Sequence, residues 1–316
     1  MRKWTKGILI FGVVTTIIGF IMMVVGVQSN GMQALLTMSE HPVYDSRVEE
    51  LTFGDEVEKI DVTLDQHSLT IMESHDDQIH IQYHPSISKG HELTSATSDK
   101  TLSVTDKKLS QQRFLGSGIE GLLHIASSYS RRFDEVFLYL PKGRSLKSIT
   151  ISANRGQTNI YRANLENATI QSNGYLLRIK DSHIKNSSIT TADIINIFDT
   201  EFTDSQVTST SYHIHAEGIQ VHGKVEFEAQ SSIHFMLTKE ERQRINFDLS
   251  TKHGSIIQFV RKEQRPIKEE DDNQYERLAS SYKTAKTDVK DQLIARADGD
   301  ISLPEDEDVP VPSRNR

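Results

Sequence analysis

Apolar residues recur at a nearly fixed period along the stretch from Arg144 to Leu237, in three sets that each advance by 17 to 19 residues. The first set is Leu146, Leu165, Ile184, Phe202 and Ile219; the second is Ile151, Ile170, Ile189, Val207 and Val225; the third is Ile160, Ile179, Ile197, Ile214 and Ile233. A repeat this short cannot bury an apolar face alone. The pattern therefore predicts coils of three short strands that stack on one another.

Polar residues alternate with the apolar ones inside each predicted strand. In Arg178-Ile179-Lys180 and His213-Ile214-His215 a polar residue stands on either side of the isoleucine, which is typical of a strand with one buried face. The sequence thus predicts an all-β, single-stranded β-solenoid with aliphatic ladders inside. A β-sandwich with accidental spacing is the alternative, because short strands with frequent turns suit sandwiches too.

Turn residues follow the second apolar set. Asn154-Arg155-Gly156 and Ser172-Asn173-Gly174 predict turns in which each glycine adopts a positive φ. Thr191-Ala192-Asp193 stands at the corresponding place in a later coil. The turn geometry is therefore expected to vary while the apolar ladders continue.

The run Phe137-Leu138-Tyr139-Leu140-Pro141-Lys142, followed by Leu146-Lys147-Ser148-Ile149-Thr150-Ile151 and Asn154-Arg155-Gly156, resembles the bacterial "putative adhesin" family of β-solenoid envelope proteins, which includes LiaG-like single-pass membrane proteins. The resemblance extends over about residues 55 to 303. Its motifs are structural, so it implies a fold and an envelope location, and it implies no active site.

The N-terminus has the pattern of a membrane anchor. Arg2, Lys3 and Lys6 precede an uncharged run from Ile8 to Val27, which as a helix would span the hydrocarbon layer of a bilayer. No Lys or Arg follows until Arg47, so the positive-inside rule predicts a cytoplasmic N-terminus and an extracytoplasmic C-terminal domain. A cleavable signal peptide is the alternative, although the run is longer than a usual h-region and no Ala-x-Ala site follows it. We expect a single pass through the cell membrane, with residues 8–27 contacting the lipid bilayer.

The remaining chain divides by its pattern. The predicted parts are a basic tip and anchor at 1–27, a linker at 28–54, the extracytoplasmic β-solenoid at 55–303 with insertions at 107–132 and 261–290, and a disordered acidic tail at 304–316. The first insertion is apolar between basic ends. It predicts either a short helix that covers the open end of the solenoid or a contact with the membrane surface.

Composition narrows the function. A net charge of -8 disfavours a nucleic-acid partner, because an acidic chain repels phosphate. The absence of cysteine excludes disulfides, thiol catalysis and a lipoprotein attachment site. No Gly-rich phosphate loop, zinc-protease motif or nucleophile elbow occurs, so we expect neither a cofactor nor an enzyme.

Histidines form the strongest candidate for chemistry. His213 and His215 flank an inward residue, and His234 is expected beside His215 one coil later, so the three imidazoles could bind zinc or copper. The alternative is chance, since the chain has 13 histidines. Asp181 and Asp199 are expected to stack as an acidic pair, which either Ca²⁺ or solvent could stabilise.

The expected function is that of a membrane-anchored binding or scaffold protein of the bacterial cell envelope, with an envelope protein or glycan as its partner. The family resemblance implies a link to envelope stress or adhesion. A polysaccharide-active β-helix enzyme is the alternative, because such enzymes cluster carboxylates on an outer face. The acidic residues of this sequence are scattered instead.

Overall fold

The computed structural model describes residues 3–28, 48–65, 67–83, 91–108, 135–259, 275–278 and 280–304. Its N-terminal helix and its β-strands belong to separate compact units. The helix, α1, extends over Lys3–Gln28. Its described side chains, those of residues 11–22 and 25, are all exposed, with Phe11 at 71% and Phe20 at 65%. Among the described residues, no helix has the length and apolarity needed to cross a membrane. The bilayer span at residues 8–27 stays a prediction.

The described part of the second unit consists of short strands and one helical turn. In chain order the strands are β1 Glu49–Phe53, β2 Lys59–Leu64, β3 Ser68–Glu73, β4 Ile79–Tyr83, β5 His91–Ser98, β6 Thr101–Lys108, β7 Glu135–Leu140, β8 Ser148–Ala153, β9 Thr158–Tyr161, β10 Asn164–Glu166, β11 Ala168–Ser172, β12 Leu176–Lys180, β13 His183–Lys185, β14 Ser188–Thr191, β15 Ile194–Phe198, β16 Glu201–Thr203, β17 Gln206–Ser209, β18 Ile214–Glu217, β19 Gln220–His222, β20 Lys224–Ala229, β21 Ile233–Met236, β22 Asn246–Thr251, β23 Ile256–Phe259, β24 Tyr275–Leu278, β25 Ser281–Lys283, β26 Gln292–Ala297 and β27 Ile301–Pro304. Helix α2, Lys239–Gln243, lies between β21 and β22 in the chain, and Thr238 and Glu241 form a capping box at its start.

These strands form three sheets within the described residues. Sheet A has 12 strands in the order β1-β4-β7-β3-β9-β12-β15-β18-β21-β27-β23-β24; sheet B has 11, β25-β22-β26-β20-β17-β14-β11-β8-β2-β6-β5; sheet C has 4, β10-β13-β16-β19. From β8 to β19 the chain visits sheets B, A and C in turn, and each strand pairs in parallel with its equivalent in the next coil. The predicted β-solenoid with three strands per coil is confirmed.

The register of the later coils differs from the predicted one by two residues. Phe202 pairs with Val221, Val207 with Phe227, and Ile197 with Ala216, where the sequence pattern had predicted Ile219, Val225 and Ile214. The coils therefore advance by 18 to 20 residues. The three predicted and the three observed partners are all buried. A shift of two residues keeps every side chain on the same face of its strand, so the apolar pattern cannot distinguish the two registers.

Aromatic rings pack in the core where the chain takes 20 residues to pass from β17 to β20. Phe227 contacts Phe202 edge-on with ring centroids 5.6 Å apart, and it contacts Phe235 in the same way at 5.4 Å. All three side chains are fully buried. These edge-to-face contacts continue the aliphatic core of the earlier coils with larger side chains.

Two turn positions per coil have left-handed backbone, and they too form ladders. One ladder is Arg162, Asp181, Asp199 and Gly218; the other is Asn167, Asn186, Asp204 and Gly223. Asn and Asp tolerate this conformation better than other side-chain-bearing residues do. Asp181 and Asp199 thus occupy the same turn of neighbouring coils, where the backbone geometry already accounts for the residue type. Calcium binding by this pair stays a prediction.

Gly156 and Gly174 act differently from their predicted role. Neither has a positive φ, which among the described glycines occurs at 143, 218 and 223. A Cβ on Gly174 would instead overlap the carbonyl oxygen of Gly156, and a Cβ on Gly156 would overlap the backbone of His67 and Ser68. These glycines are required because successive coils approach closely at the corner between sheets B and A.

Near both ends of the strand stack, some strands run against the coil direction. At one end β4 and β5 pair antiparallel with β7 and β6. At the other end β24 and β25 pair antiparallel with β23 and β22. The first and last coils in chain order do not lie at the ends of the stack. In sheet B, β2 lies between β6 and β8, and β26 lies between β20 and β22.

Two segments that were predicted as a linker and an insertion contain strands. The predicted linker at 28–54 contains β1, which pairs with β4 at the edge of sheet A. The predicted insertion at 261–290 contains β24 and β25, because a short polar strand at a sheet edge lacks the apolar alternation that marks a buried one. Residues 109–132 of the first insertion and the tail from 305 onward lie outside the described residues.

Candidate binding surface

The outer face of sheet A collects polar and aromatic side chains into rows. The residues that alternate with the buried ones meet across the strands, because the strands pair in register. One row is Gln82, Phe137, Thr70, Asn159, Arg178, Asn196 and His215, and the next is His80, Tyr139, Met72, Tyr161, Lys180, Phe198 and Glu217. We call these two rows the sheet A surface.

A hydrogen-bond network holds the centre of this surface. The Oδ1 of Asn159 accepts from Gln157 Nε2 at 2.7 Å and from the Tyr161 hydroxyl at 3.2 Å, and its Nδ2 donates to Thr70 Oγ1 at 3.1 Å. Arg178 Nη1 donates to the Tyr161 hydroxyl at 3.2 Å. Asn159 and Thr70 are buried, so the network limits the rotamers of the more exposed residues around them. A surface ordered in advance loses less conformational entropy when it binds a ligand.

Aromatic rings flank the network. Phe137 and Tyr139 stack with centroids 6.4 Å apart, and Phe198 lies 5.8 Å from the ring of His215. The hydroxyl of Tyr139 donates to Gln82 Oε1 at 3.3 Å. Burial raises the pKa of Tyr139, and the negative charges of Glu50 and Glu135 raise it further, so the phenol keeps its proton at neutral pH. Aromatic faces beside amide and guanidinium groups can bind a ligand that has both apolar faces and hydroxyls.

The predicted histidine group lies at the far end of the same face. His215 is directly opposite His234, and the ring of His213 meets that of His234 edge-on at 6.3 Å. Both nitrogens of His234 have serine partners, with Nδ1 2.7 Å from Ser302 Oγ and Nε2 3.2 Å from Ser232 Oγ. Burial lowers the pKa of His234, and the neighbouring imidazoles of His213 and His215 lower it further. Metal binding by His213, His215 and His234 stays a prediction.

A shallow polar groove offers a second surface, where the turns after sheet C meet sheet B. It has a volume of about 550 Å³, and its walls include Asn186, Ser188, Asp204, Gln206 and Lys224. Its lining, as far as the described residues show, contains no aromatic side chain. The sheet A surface combines more kinds of interaction, and it is therefore the stronger candidate.

The sequence contained a signal for this surface that the apolar ladders concealed. The sequence pattern assigns Ile179 and Ile197 to an inward set, and it describes Arg178 and Lys180 only as outward neighbours. The intervening residues become a surface only when neighbouring coils align. Listing the outward residues coil by coil would have shown the aromatic and amide positions together.

These features define a β-solenoid with a preorganised polar and aromatic face. The chain belongs to the Toastrack DUF4097 family, whose model matches residues 57–304. The matched range nearly coincides with residues 55 to 303, over which the adhesin resemblance was predicted. A comparison with curated proteins gives no match.

Solved structures similar to this chain include two that are described as adhesion proteins. One is a "putative cell adhesion protein" from Clostridium sporogenes, 12% identical, covering 82% of this chain and 99% of its own, with a TM-score of 0.30. The other is a "putative adhesin" from Bacteroides fragilis, 11% identical, covering 82% of this chain and 97% of its own, with a TM-score of 0.28. The family assignment rests on the family model.

Proposed function

We propose that this chain is a membrane-anchored, extracytoplasmic binding protein of the bacterial cell envelope, of the LiaG-like single-pass kind, and that its ligand lies on the sheet A surface. The observation that carries the proposal is the network around Asn159, which joins Thr70, Tyr161 and Arg178 across three neighbouring strands. The ligand-binding role is non-enzymatic.

An extended glycan fits this surface best. Equivalent positions on neighbouring strands recur about every 4.8 Å, so donors and acceptors repeat along a line, as hydroxyls do along a polysaccharide. The rings of Phe137 and Phe198 supply apolar faces for sugar rings, while Arg178 and Asn196 supply donors. A protein partner is the competing outcome of the binding experiment.

The binding test compares two substitutions within one coil. Arg178→Ala removes a donor from the sheet A surface, whereas Gln171→Ala changes the exposed face of sheet B in the same coil. We expect Arg178→Ala to reduce co-sedimentation with isolated cell-wall glycan at least tenfold and Gln171→Ala to leave it unchanged. Equal retention by both variants would place the ligand elsewhere, and selective loss of a protein from an envelope pull-down would identify a protein partner instead.

The anchor is proposed from the N-terminal pattern. The uncharged run from Ile8 to Val27 follows three basic residues, α1 extends over Lys3–Gln28, and its described apolar side chains are exposed. Protease added to intact, wall-stripped cells should then remove the β-domain and leave the anchor. Protection of the β-domain in such cells would contradict the proposed orientation.

Anchoring should also matter for activity, because tethering raises the effective concentration at the membrane surface. In a deletion strain scored for sensitivity to cell-wall antibiotics, we expect rescue by the full-length chain and little rescue by a secreted form that lacks residues 1–27. Full rescue by the secreted form would contradict the proposal that the chain must be anchored at the membrane to act in the envelope stress response.

The competing enzyme hypothesis requires free carboxylates. Glu217 belongs to the sheet A surface, and its Oε2 lies 3.8 Å from His215 Nε2. Beside that surface, Glu50 Oε1 lies 2.9 Å from His80 Nδ1, and Glu135 accepts a hydrogen bond from Thr70. Each of these acids contacts a neighbouring side chain. Incubation with cell-wall polysaccharide should therefore release no reducing ends, and their release would favour the enzyme.

A further inference from the structure

A compact group of metal-binding side chains lies at the turn between β3 and β4, apart from the centre of the sheet A surface. His75 and Asp76 are in this turn, and His80 is the second residue of β4. One ligand atom from each of these three residues lies within 4.8 Å of the other two. Among the described residues, this is the one group of at least three His, Asp or Glu side chains whose ligand atoms all lie within 4.8 Å of one another.

The distances suit a single small ion. His80 Nε2 lies 2.9 Å from Asp76 Oδ1, and His75 Nε2 lies 3.4 Å from Asp76 Oδ2. Ligand atoms bonded to a tetrahedral zinc ion at about 2.1 Å are about 3.4 Å from one another. The rings of His75 and His80 have centroids 5.3 Å apart, which is close to the roughly 5.2 Å expected for two imidazoles on such an ion.

His80 is oriented by a second carboxylate. Its Nδ1 lies 2.9 Å from Glu50 Oε1 and 3.2 Å from Thr52 Oγ1, and its side chain is only 8% exposed. When Nδ1 carries the proton and donates it to Glu50, the lone pair of Nε2 points toward Asp76. A carboxylate that holds the far nitrogen of a ligand histidine is the usual outer-shell partner in metal sites.

Asp76 is also held in place. Ser74 Oγ donates to Asp76 Oδ1 at 2.8 Å, and the backbone N–H of Gln78 donates to the same oxygen at 3.0 Å. An ionised carboxylate accepts both hydrogen bonds, and the ionised form is the one that binds a metal.

We propose that His75, Asp76 and His80 bind one divalent transition-metal ion of the Zn²⁺ class, and that Glu50 positions His80 for it. Two imidazoles and one carboxylate favour such an ion over Ca²⁺ or Mg²⁺, which prefer oxygen ligands. The His75 side chain is 82% exposed, so the site opens to solvent and leaves a fourth position for water or for a group of a partner. Because Glu50 belongs to β1, the ion would also tie the edge strand to the β3–β4 turn.

The test is titration of the purified full-length chain with ZnCl₂, followed by calorimetry and by thermal melting, with CaCl₂ and MgCl₂ as controls for ion class. His75→Ala and Asp76→Asn remove ligands. His183→Ala is the matched control, because this histidine is similarly exposed, at 68%, beside an acid on sheet C. Both histidine substitutions affect exposed side chains and should leave the fold intact.

We expect one Zn²⁺ with a clear rise in melting temperature, and we expect His75→Ala and Asp76→Asn each to weaken that binding at least tenfold while His183→Ala leaves it unchanged. Glu50→Gln should weaken it by roughly 10- to 100-fold without changing the stoichiometry, as expected of a positioning residue. No Zn²⁺ binding by the unaltered chain would overturn the proposal, and so would unchanged binding in His75→Ala and Asp76→Asn or an equal response to Ca²⁺. Loss of binding only in a His213→Ala/His215→Ala/His234→Ala variant would assign the ion to that group instead.

Discussion

Substitution of Gly174 by alanine tests how closely the coils pack at their corner. Gly174 lies between β11 and β12, and an added Cβ would overlap the carbonyl group of Gly156 in the preceding coil. The obstructing atoms are backbone atoms, and the corner is held by a hydrogen bond of 2.7 Å from Asn173 N to Ala153 O. No flexible side chain can move aside to make room.

The magnitude follows from this contact. The φ of Gly174 is outside the left-handed range, so a methyl group causes no backbone strain, and the lower entropy of the unfolded chain would by itself stabilise the variant by about 0.4 to 1 kcal/mol. Overpacking typically costs about 1 to 3 kcal/mol, and a clash with fixed backbone belongs at the upper end. We expect a net loss of about 2 to 2.6 kcal/mol, which for a domain of this size lowers the melting temperature by roughly 4 to 10 °C.

Thermal melting followed by circular dichroism measures the effect, with Gly143→Ala as the control. Gly143 has a φ of 70° and open space around its Cα, so alanine there should cost only about 1 to 2 kcal/mol of left-handed strain. A Gly174→Ala variant that melts at or above the unaltered protein would refute the packing argument. A larger loss in Gly143→Ala than in Gly174→Ala would show that backbone conformation, rather than space, decides the role of glycine in these turns.

Three further predictions concern the core and the titrating groups. Ile179→Asp places a charge in a fully buried ladder and should cost about 4 kcal/mol, whereas Lys180→Asp on the exposed face should cost about 0.5 kcal/mol or less; equal losses in urea unfolding would contradict the assignment of inside and outside. The pKa of His234 is lower in the folded chain than in the unfolded chain, so the unfolded chain binds a proton first as the pH falls below about 6.5, and the free energy of unfolding decreases. His234→Gln should therefore reduce the loss of stability between about pH 7 and 5. An unchanged dependence of stability on pH would contradict this prediction. Hydrogen bonds from Lys100 and Lys147 lower the pKa of Glu58 from 4.5 to about 2. The stabilisation by ionised Glu58 is therefore present above pH 4.5 and is lost as the pH falls toward about 2. Glu58→Gln should flatten the dependence of the unfolding free energy on pH in that window, and a steeper dependence would refute the pairing.

The inward half of the solenoid could be predicted because a strand's alternation is local. Ile151, Ile170 and Ile189 were placed in one ladder from spacing alone, and the structure pairs them so. The prediction lost its register after Ile197, Phe202 and Val207, where the coil gains two residues over the predicted spacing. Any even shift satisfies the alternation equally well, so the register depends on core packing that the alternation does not describe, such as the ring contacts of Phe227 with Phe202 and Phe235.

The candidate sites were less predictable, because they join residues from different elements. The pairing of His215 with His234 follows from one coil period. The group of His75, Asp76 and His80 depends on a turn conformation and on Glu50, which comes from a strand inside the predicted linker. The available sequence signal for this group was His75 within Ser74-His75-Asp76-Asp77, followed by His80, but this segment lies outside the repeats.

The sequence by itself determined the class of fold, the inward face of each strand and the N-terminal apolar run, since each depends on the order of apolar and polar residues within a short window. Only the tertiary structure decided the order in which the coils stack, including the insertion of β2 and β26 inside the stack, and the close approach that requires Gly174. Any coil with the correct inward face can hydrogen-bond to any other through its backbone. The choice of neighbour therefore depends on side-chain packing and corner contacts across the whole stack, which no short window contains.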